Sequence, residues 1–282
     1  MSPLIKDMLS GREFYLGKAR CCCWYCVVFE ERGMMMSKHI AFAGKGGTGK
    51  TTIAALVIRY LVANKKGTVL AVDADPNATL FEALGVEVTE TLSDIVEIVK
   101  DEKGVDDSTR QEMIETRFYE NALLKADGYD MIVMGAPRQE GCYCFPNAVL
   151  KNSIIKLEEN YDYMIIDNEA GMEHISRGTI QDVDTLLVVS DGSIKGVRAA
   201  KRIYELIQTL PFDVGEAYLI VTRIDDPALL QEEIDASGLK LLGVVPYDAQ
   251  LAEFDLYGKP IVELPEDSLA VQAVNNFCEK IF

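Results

Sequence analysis

A single α/β domain, a mostly parallel doubly wound sheet with helices on both faces, is predicted by three features of this sequence. From residue 37 onward, short apolar runs alternate with segments of helical periodicity. The runs are nearly continuous in apolar residues rather than alternating, which suits strands buried on both faces of a parallel sheet. A glycine-rich stretch, Ala43-Gly44-Lys45-Gly46-Gly47-Thr48-Gly49-Lys50-Thr51-Thr52, separates the first run from the first helical segment. That is the strand–loop–helix order of a phosphate-cradling unit.

The strand candidates are Ile40–Ala43, Val69–Val72, Met131–Met134, Tyr163–Ile166, Thr185–Val189, Tyr218–Val221 and Leu242–Val245. The first helix is expected over Thr52 to Val62. A second is expected over Val197–Leu210, where Ala199, Ala200, Ile203, Ile207 and Leu210 recur at i+3/i+4 spacing. The last helix, Ser268–Ile281, carries Ala270, Ala273, Val274, Phe277, Cys278 and Ile281 on one stripe. Residues 100–128 are polar and weakly patterned and read as a surface excursion. There is no internal repeat, low-complexity tract or obvious linker, so 37–282 is expected to form one domain.

At 282 residues and 49% hydrophobic composition the chain can fill one large core. A net charge of -17 and a pI near 4.6 argue against non-specific nucleic-acid binding and against attraction to anionic lipid. No apolar run reaches the ~18 residues of a membrane span, so neither nucleic acid nor membrane is expected as a partner. Seven cysteines without a signal-peptide pattern point to a reducing, cytoplasmic setting.

Residues 1–33 differ from the rest: they carry five basic and four acidic side chains, the only Trp (Trp24), and Cys21, Cys22, Cys23 and Cys26. They can be read as a cysteine-rich metal or redox tail. The favoured reading is a start of translation at Met34, Met35 or Met36, because Glu30-Glu31-Arg32-Gly33 back-translates to a purine-rich run like a ribosome-binding site. Residues 1–36 are therefore expected to be an N-terminal extension, disordered or a mis-assigned start.

The stretch 44–51 satisfies GxxxxGK[ST]. The glycines Gly44, Gly46, Gly47 and Gly49 let the backbone turn so that N–H groups, those of Thr48 and Thr52 included, converge on phosphate oxygens. Lys50 is expected to neutralise β/γ-phosphate charge, and the Thr51 hydroxyl to ligate Mg²⁺. Two further strand ends carry acids: Val72-Asp73-Ala74-Asp75-Pro76-Asn77, and Ile165-Ile166-Asp167-Asn168-Glu169-Ala170-Gly171. A parallel sheet brings these ends beside the phosphate loop. Asp167, with Asp75, is then placed to hold Mg²⁺ directly or through water, and Asp75 to orient an attacking water. Gly171 N–H is placed to sense the γ-phosphate, making 167–175 a candidate switch. Asp73 serves either this switch or the holding of its own loop; acids at strand ends also commonly cap the next helix.

Cys142-Tyr143-Cys144 lies in the loop after the third strand candidate. In an extended loop residues i and i+2 face the same way, so both sulfurs can point at one spot, close to a helix expected to begin near Asn147. Two thiolates leave a four-coordinate site half built. A two-fold dimer completes it with four sulfurs, suited to Zn²⁺, Fe–S or Ni²⁺. Buried, unreactive cysteines are the alternative.

Lys45-Gly46-Gly47-Thr48-Gly49-Lys50-Thr51-Thr52, with Asp75-Pro76 and Asp167-Asn168-Glu169-Ala170-Gly171, resembles the deviant-Walker-A ATPases of the MinD/ParA/nitrogenase-iron-protein class. The resemblance implies ATP or ADP sandwiched with Mg²⁺ between two protomers, with the extra lysine, Lys45, reaching the partner's phosphates. It also implies base contacts from Thr222-Arg223 and Pro246-Tyr247-Asp248, although Arg223 stands where relatives often have an Asn-led motif. The cysteine segment with its flanks, Met134-Gly135-Ala136-Pro137 to Gly141-Cys142-Tyr143-Cys144, and Met172-Glu173-His174 after the switch, look like the CooC-type nickel-insertion ATPases (CooC/AcsF). That likeness, over about 37–282, implies a homodimer that shares Ni²⁺ or Zn²⁺ between protomers through Cys142 and Cys144. Its implied client is apo carbon monoxide dehydrogenase or acetyl-CoA synthase. A MinD/ParA-like positioning ATPase and an Fe–S carrier ATPase are the alternatives.

Overall fold

The computed structural model describes residues 37–136, 144–168, 183–210 and 213–282. Eight strands are present among them: β1 (Lys38–Gly44), β2 (Val69–Asp73), β3 (Leu123–Lys125), β4 (Asp130–Val133), β5 (Tyr163–Asp167), β6 (Val183–Asp191), β7 (Val214–Thr222) and β8 (Lys240–Val245). They form one sheet in the order β3-β4-β2-β5-β1-β6-β7-β8. Every neighbouring pair is parallel except β3–β4. All seven apolar runs are strands of this sheet. β1 lies near the middle, with β5 and β6 on opposite sides of it, so a crevice opens at its carboxyl end, where open α/β sheets bind ligands.

Nine helices among the described residues cover the sheet: α1 (Lys50–Ala63), α2 (Leu80–Leu84), α3 (Leu92–Asp101), α4 (Asp107–Arg117), α5 (Cys144–Leu157), α6 (Ile194–Ile207), α7 (Gln231–Ser237), α8 (Ala249–Tyr257) and α9 (Leu269–Ile281). Because side chains alternate along a strand, β1 feeds two cores. Ile40 and Phe42 pack with α1, α2 and α9, whereas Ala41 and Ala43 pack with α3 to α7. The apolar stripe of α9 is consumed this way: Ala270, Val271, Val274, Phe277 and Cys278 are all buried. No helix among the described residues is long and apolar enough to cross a membrane.

Capping moves two helix boundaries from their expected positions. The Ser193 hydroxyl accepts the Gly196 N–H at 3.0 Å, so α6 opens at Ile194 rather than Val197. The Ser268 hydroxyl likewise caps α9, which therefore starts one residue later than expected. The larger correction concerns residues 100–128. They hold α4, one π-helical turn (Phe118–Ala122) and β3, which pairs antiparallel on the sheet edge. Ile114, Phe118 and Ala122 are buried in the core with Leu92, Ile95 and Leu150. Three apolar anchors spread over a polar segment left too thin a periodic signal, and a three-residue strand left none. Replacing Phe118 by Ala is expected to cost about 3–5 kcal/mol in urea denaturation; a loss under about 1 kcal/mol would return the segment to the surface.

Candidate functional site

The phosphate loop leaves β1 at Gly44 and enters α1 at Lys50. Gly44 has φ +152°, and a Cβ there would lie 2.3 Å from the Val189 carbonyl oxygen of the neighbouring strand. Only glycine lets the loop turn so close to β6. The loop is braced from within and from outside. The Thr48 hydroxyl donates to the Lys45 carbonyl at 2.9 Å, and the Lys50 ammonium donates to the same carbonyl at 3.4 Å. From β7, the Thr222 hydroxyl donates to the Thr48 carbonyl at 2.9 Å. Lys50 is buried, whereas Lys45 is exposed.

Parallel register assembles the acids. Asp167 on β5 lies opposite Phe42 of β1 on one side and Asp73 of β2 on the other. Asp167 is 1% exposed; its Oδ2 accepts the Thr51 hydroxyl at 2.6 Å, while Oδ1 is buried without a hydrogen-bond partner. Burial pushes its carboxyl up to about 6, against the opposing pull of the Thr51 bond and the Lys50 charge. A hard oxygen set with one buried, unpaired carboxylate oxygen fits Mg²⁺. The residues that would hold it are Thr51 and Asp167, and its charge would offset that of bound phosphates. Asn168, which follows, donates to the Phe42 carbonyl at 3.0 Å and buries an unpartnered Oδ1.

Asp73 braces its own loop. It is fully buried, and its carboxylate accepts the Asp75 N–H at 3.3 Å and the Leu80 N–H at 2.9 Å, closing the 73–80 turn. Burial first, and the neighbouring Asp167 second, push it up to about 8. Asp75 is half-buried and accepts the Asn77 backbone and side-chain amides at 2.8 and 3.0 Å. Thr79, unremarked in the sequence, brings its hydroxyl to 3.5 Å from that of Thr51.

A cavity of about 260 Å³ opens beside the loop, lined by Thr48, Thr222, Arg223, Pro246, Tyr247 and Asp248 among others. The structure thus brings the expected base-contacting positions to one place, between the ends of β7 and β8. Arg223 adopts φ +58°, an uncommon conformation for a non-glycine residue, and its N–H donates to the Val245 carbonyl at 2.7 Å. Tyr247 is 63% exposed. Asp248 departs from the expected role of a base contact. One carboxylate oxygen accepts the N–H groups of Gln250 and Leu251, and the other accepts the Ser268 hydroxyl and the Ala270 N–H. Burial alone would raise it, but these donors together hold it below the usual carboxylate range. Its oxygens are committed to the first turns of α8 and α9, and it forms a wall of the cavity.

Of the remaining expected residues, Gly171 and Cys142 lie outside the described residues, as does the 169–175 part of the switch. Cys144 opens α5, three residues before the helix start expected near Asn147, so the extended geometry assumed for it does not hold. Among the described residues no group of three or more His, Cys, Asp or Glu side chains is placed to hold a metal ion.

Sheet order, a glycine loop at the carboxyl end of the central strand, and the Thr51–Asp167 pair define a P-loop nucleoside triphosphatase. Residues 40–261 match the CobQ/CobB/MinD/ParA nucleotide binding domain, and the chain belongs to that family. It is an ATP-binding, ATP-hydrolysing protein of this superfamily. It is 38% identical over 248 residues to an uncharacterised ATP-binding protein of Methanocaldococcus jannaschii, covering 86% of this chain and 97% of the relative. It is 30% identical over 240 residues to the carbon monoxide dehydrogenase accessory protein CooC of Rhodospirillum rubrum, covering 80% and 89% respectively. Among solved structures, the septum site-determining protein MinD from Pyrococcus horikoshii, complexed with Mg-ADP, superposes with a TM-score of 0.65. That match has 25% identity and covers 87% of this chain and 96% of the other.

The two raised carboxyls set a pH dependence. In the nucleotide-free protein Asp73 and Asp167 keep protons that the unfolded chain releases above about pH 4. Their contribution to stability is therefore fully present below that pH and is lost as pH rises, through about 6 for Asp167 and about 8 for Asp73. Urea denaturation of wild type and Asp73→Asn across this window checks it. The substitution should flatten the upper part of the decline, and a wild-type stability that rises from pH 5 to 8 would contradict the assignment.

Proposed function

We propose that this chain is an ATP-driven switch that works as a nucleotide-sandwiched homodimer, in the manner of MinD and ParA proteins. The observation that carries this reading is the unequal exposure of the two loop lysines. Lys50 is buried over its own loop, whereas Lys45 commits its carbonyl to the loop and leaves its side chain exposed. A cation turned away from its own cradle is available to the phosphates of a second protomer. Charge stabilisation in the transition state then depends on dimer formation, and hydrolysis reports assembly. Within each protomer the loop N–H groups and Lys50 bind the phosphates, Asp75 orients water, and Gly171 senses the γ-phosphate. The base rests against Arg223, Pro246 and Tyr247, with Thr222 and Asp248 shaping the cavity.

A second reading concerns what the switch moves. The 30% identity to CooC and the tripeptide Cys142-Tyr143-Cys144 favour a metal cargo, Ni²⁺ or Zn²⁺, held by paired cysteines of two protomers. Delivery would be to apo carbon monoxide dehydrogenase or acetyl-CoA synthase, driven by different metal affinities of the open and closed dimers. The positioning alternative draws on the likeness to MinD. Membrane attachment through α9 would, however, expose apolar residues that the core now buries.

Lys45→Ala is expected to lower ATP turnover about 10³-fold while ATP affinity stays within a few-fold; undiminished turnover would remove the role in trans. Light scattering should show the mass doubling on addition of Mg-ATP, and a mass that stays monomeric counts against the sandwich. For the cargo, Cys142→Ser with Cys144→Ser should abolish stoichiometric Ni²⁺ or Zn²⁺ in elemental analysis while leaving nucleotide binding intact. Retained metal excludes these ligands.

A further inference from the structure

Helices α3, α4 and α5 do not close fully on one another, and a cavity of about 510 Å³ opens between them. That size suits a small organic molecule. Its apolar wall is formed by Ile114, Phe118 and Val149, the first two anchored in the core behind it. The adjoining Tyr119 is 48% exposed and stands edge-on to Phe118, with ring centroids 5.2 Å apart. Both rings are set by the single π-helical turn, Phe118–Ala122, that follows α4. Such turns are rare and are frequent at functional sites. Lys100, Arg110 and Lys156 also line the cavity, against one carboxylate among the described lining residues, Glu115. The Lys156 ammonium donates to Glu115 at 2.6 Å, but the two side chains are 48% and 43% exposed. An exposed pair of this kind is worth little and yields readily to a ligand carboxylate. The Arg110 guanidinium donates to the Glu102 carbonyl at 3.1 Å, which ties it to the end of α3.

The cavity is set apart from the nucleotide crevice. α3 starts at the carboxyl edge of the sheet, where the Ser93 N–H donates to the Met134 carbonyl at 2.9 Å. Lys100 lies seven residues further on, about 10 Å along the helix axis. Lys156, next to last in α5, leads toward the amino end of β5. We propose that this cavity binds a small monocarboxylate with a flat aromatic body. Phe118 and Tyr119 offer a ring face and edge for offset or edge-to-face contact, and the cations at the mouth receive the carboxylate. A phosphate dianion would meet Glu115 with twice the repulsion of a monocarboxylate, and it would leave the apolar wall uncovered. The site stands independently of the dimer reading, since it requires neither hydrolysis nor a second protomer.

The test is isothermal titration calorimetry of the full chain at low salt. β-Naphthoate is the probe, with β-naphthol and decanoate as comparators. Naphthoate should bind one to one, and naphthol, which keeps the rings and lacks the carboxylate, about tenfold or more weakly. Decanoate, which keeps the carboxylate and lacks the rings, should also bind more weakly. Lys100→Ala/Lys156→Ala should lower naphthoate affinity about tenfold. Asn152→Trp, which puts an indole at the lining of the cavity, should abolish binding. Basal ATP hydrolysis and circular dichroism should stay unchanged in both variants, and saturating Mg-ADP should leave naphthoate affinity unchanged. No binding to wild type at about 1 mM naphthoate overturns the proposal. So does equal affinity for wild type and both variants, and so does decanoate that binds more tightly than naphthoate. Displacement of naphthoate by ADP overturns it as well, by putting the probe in the nucleotide crevice.

Discussion

Burying a carboxylate at the carboxyl edge of a parallel sheet is costly, and the site is organised around how Asp167 is accommodated. One oxygen is taken by the Thr51 hydroxyl, which ties β5 to the first turn of α1. The other is left without a protein partner, and the nearby Lys50 charge lowers the cost only in part. The same β5 register sets Asp73 alongside, so that two buried carboxyls lie next to each other and both are raised. A divalent cation with phosphate oxygens relieves this arrangement. The folded chain thus carries a local electrostatic deficit that ligand binding removes, which is how stability and nucleotide occupancy become linked.

What keeps these groups in place is the packing of the two sheet faces. β1 can lie between β5 and β6 because its residues are small or apolar on both sides. Ala41 and Ala43 admit α3 to α7 closely on one face, and Ile40 and Phe42 fill the space under α1 and α9 on the other. At the end of the strand Gly44 approaches β6 more closely than any side chain permits. The loop is then held by hydroxyls from two directions, Thr48 within it and Thr222 across from β7. A loop braced this way presents its N–H groups without further ordering on binding, which is the physical content of preorganisation.

Charge is distributed with a division of labour. Asp73 and Asp248 are braces: each accepts backbone N–H groups on both oxygens, Asp248 the Ser268 hydroxyl as well, and so fixes a turn beside the site. Asp167 differs in keeping one buried oxygen without a hydrogen-bond partner. The cations follow the same split. Lys50 is drawn into the loop, while Lys45 stays exposed on the outside of an otherwise acidic molecule.

Much of this was legible in the residues alone, for identifiable reasons. Strands buried on both faces must be apolar throughout, so each of the seven parallel strands announced itself as a run, and the glycine loop could be placed between the first strand and helix. Asp167 could be expected beside the phosphate loop because parallel strands carry their carboxyl ends to one edge, and its carboxylate does accept the Thr51 hydroxyl. The edge strand Leu123–Lys125 was not legible because three residues carry no periodicity, and the buried anchor Phe118 was not because its partners Leu92, Ile95 and Leu150 on α3 and α5 are distant in sequence. Nor was the role of Asp248: whether a carboxylate meets a base or caps two helices depends on where Ser268 and Ala270 fall, about twenty residues away. Local composition decides which segments become strands and helices and which loop can cradle phosphate. Only tertiary packing decides which polar atoms are left unpaired when those segments close, and the unpaired atoms are what a ligand can use.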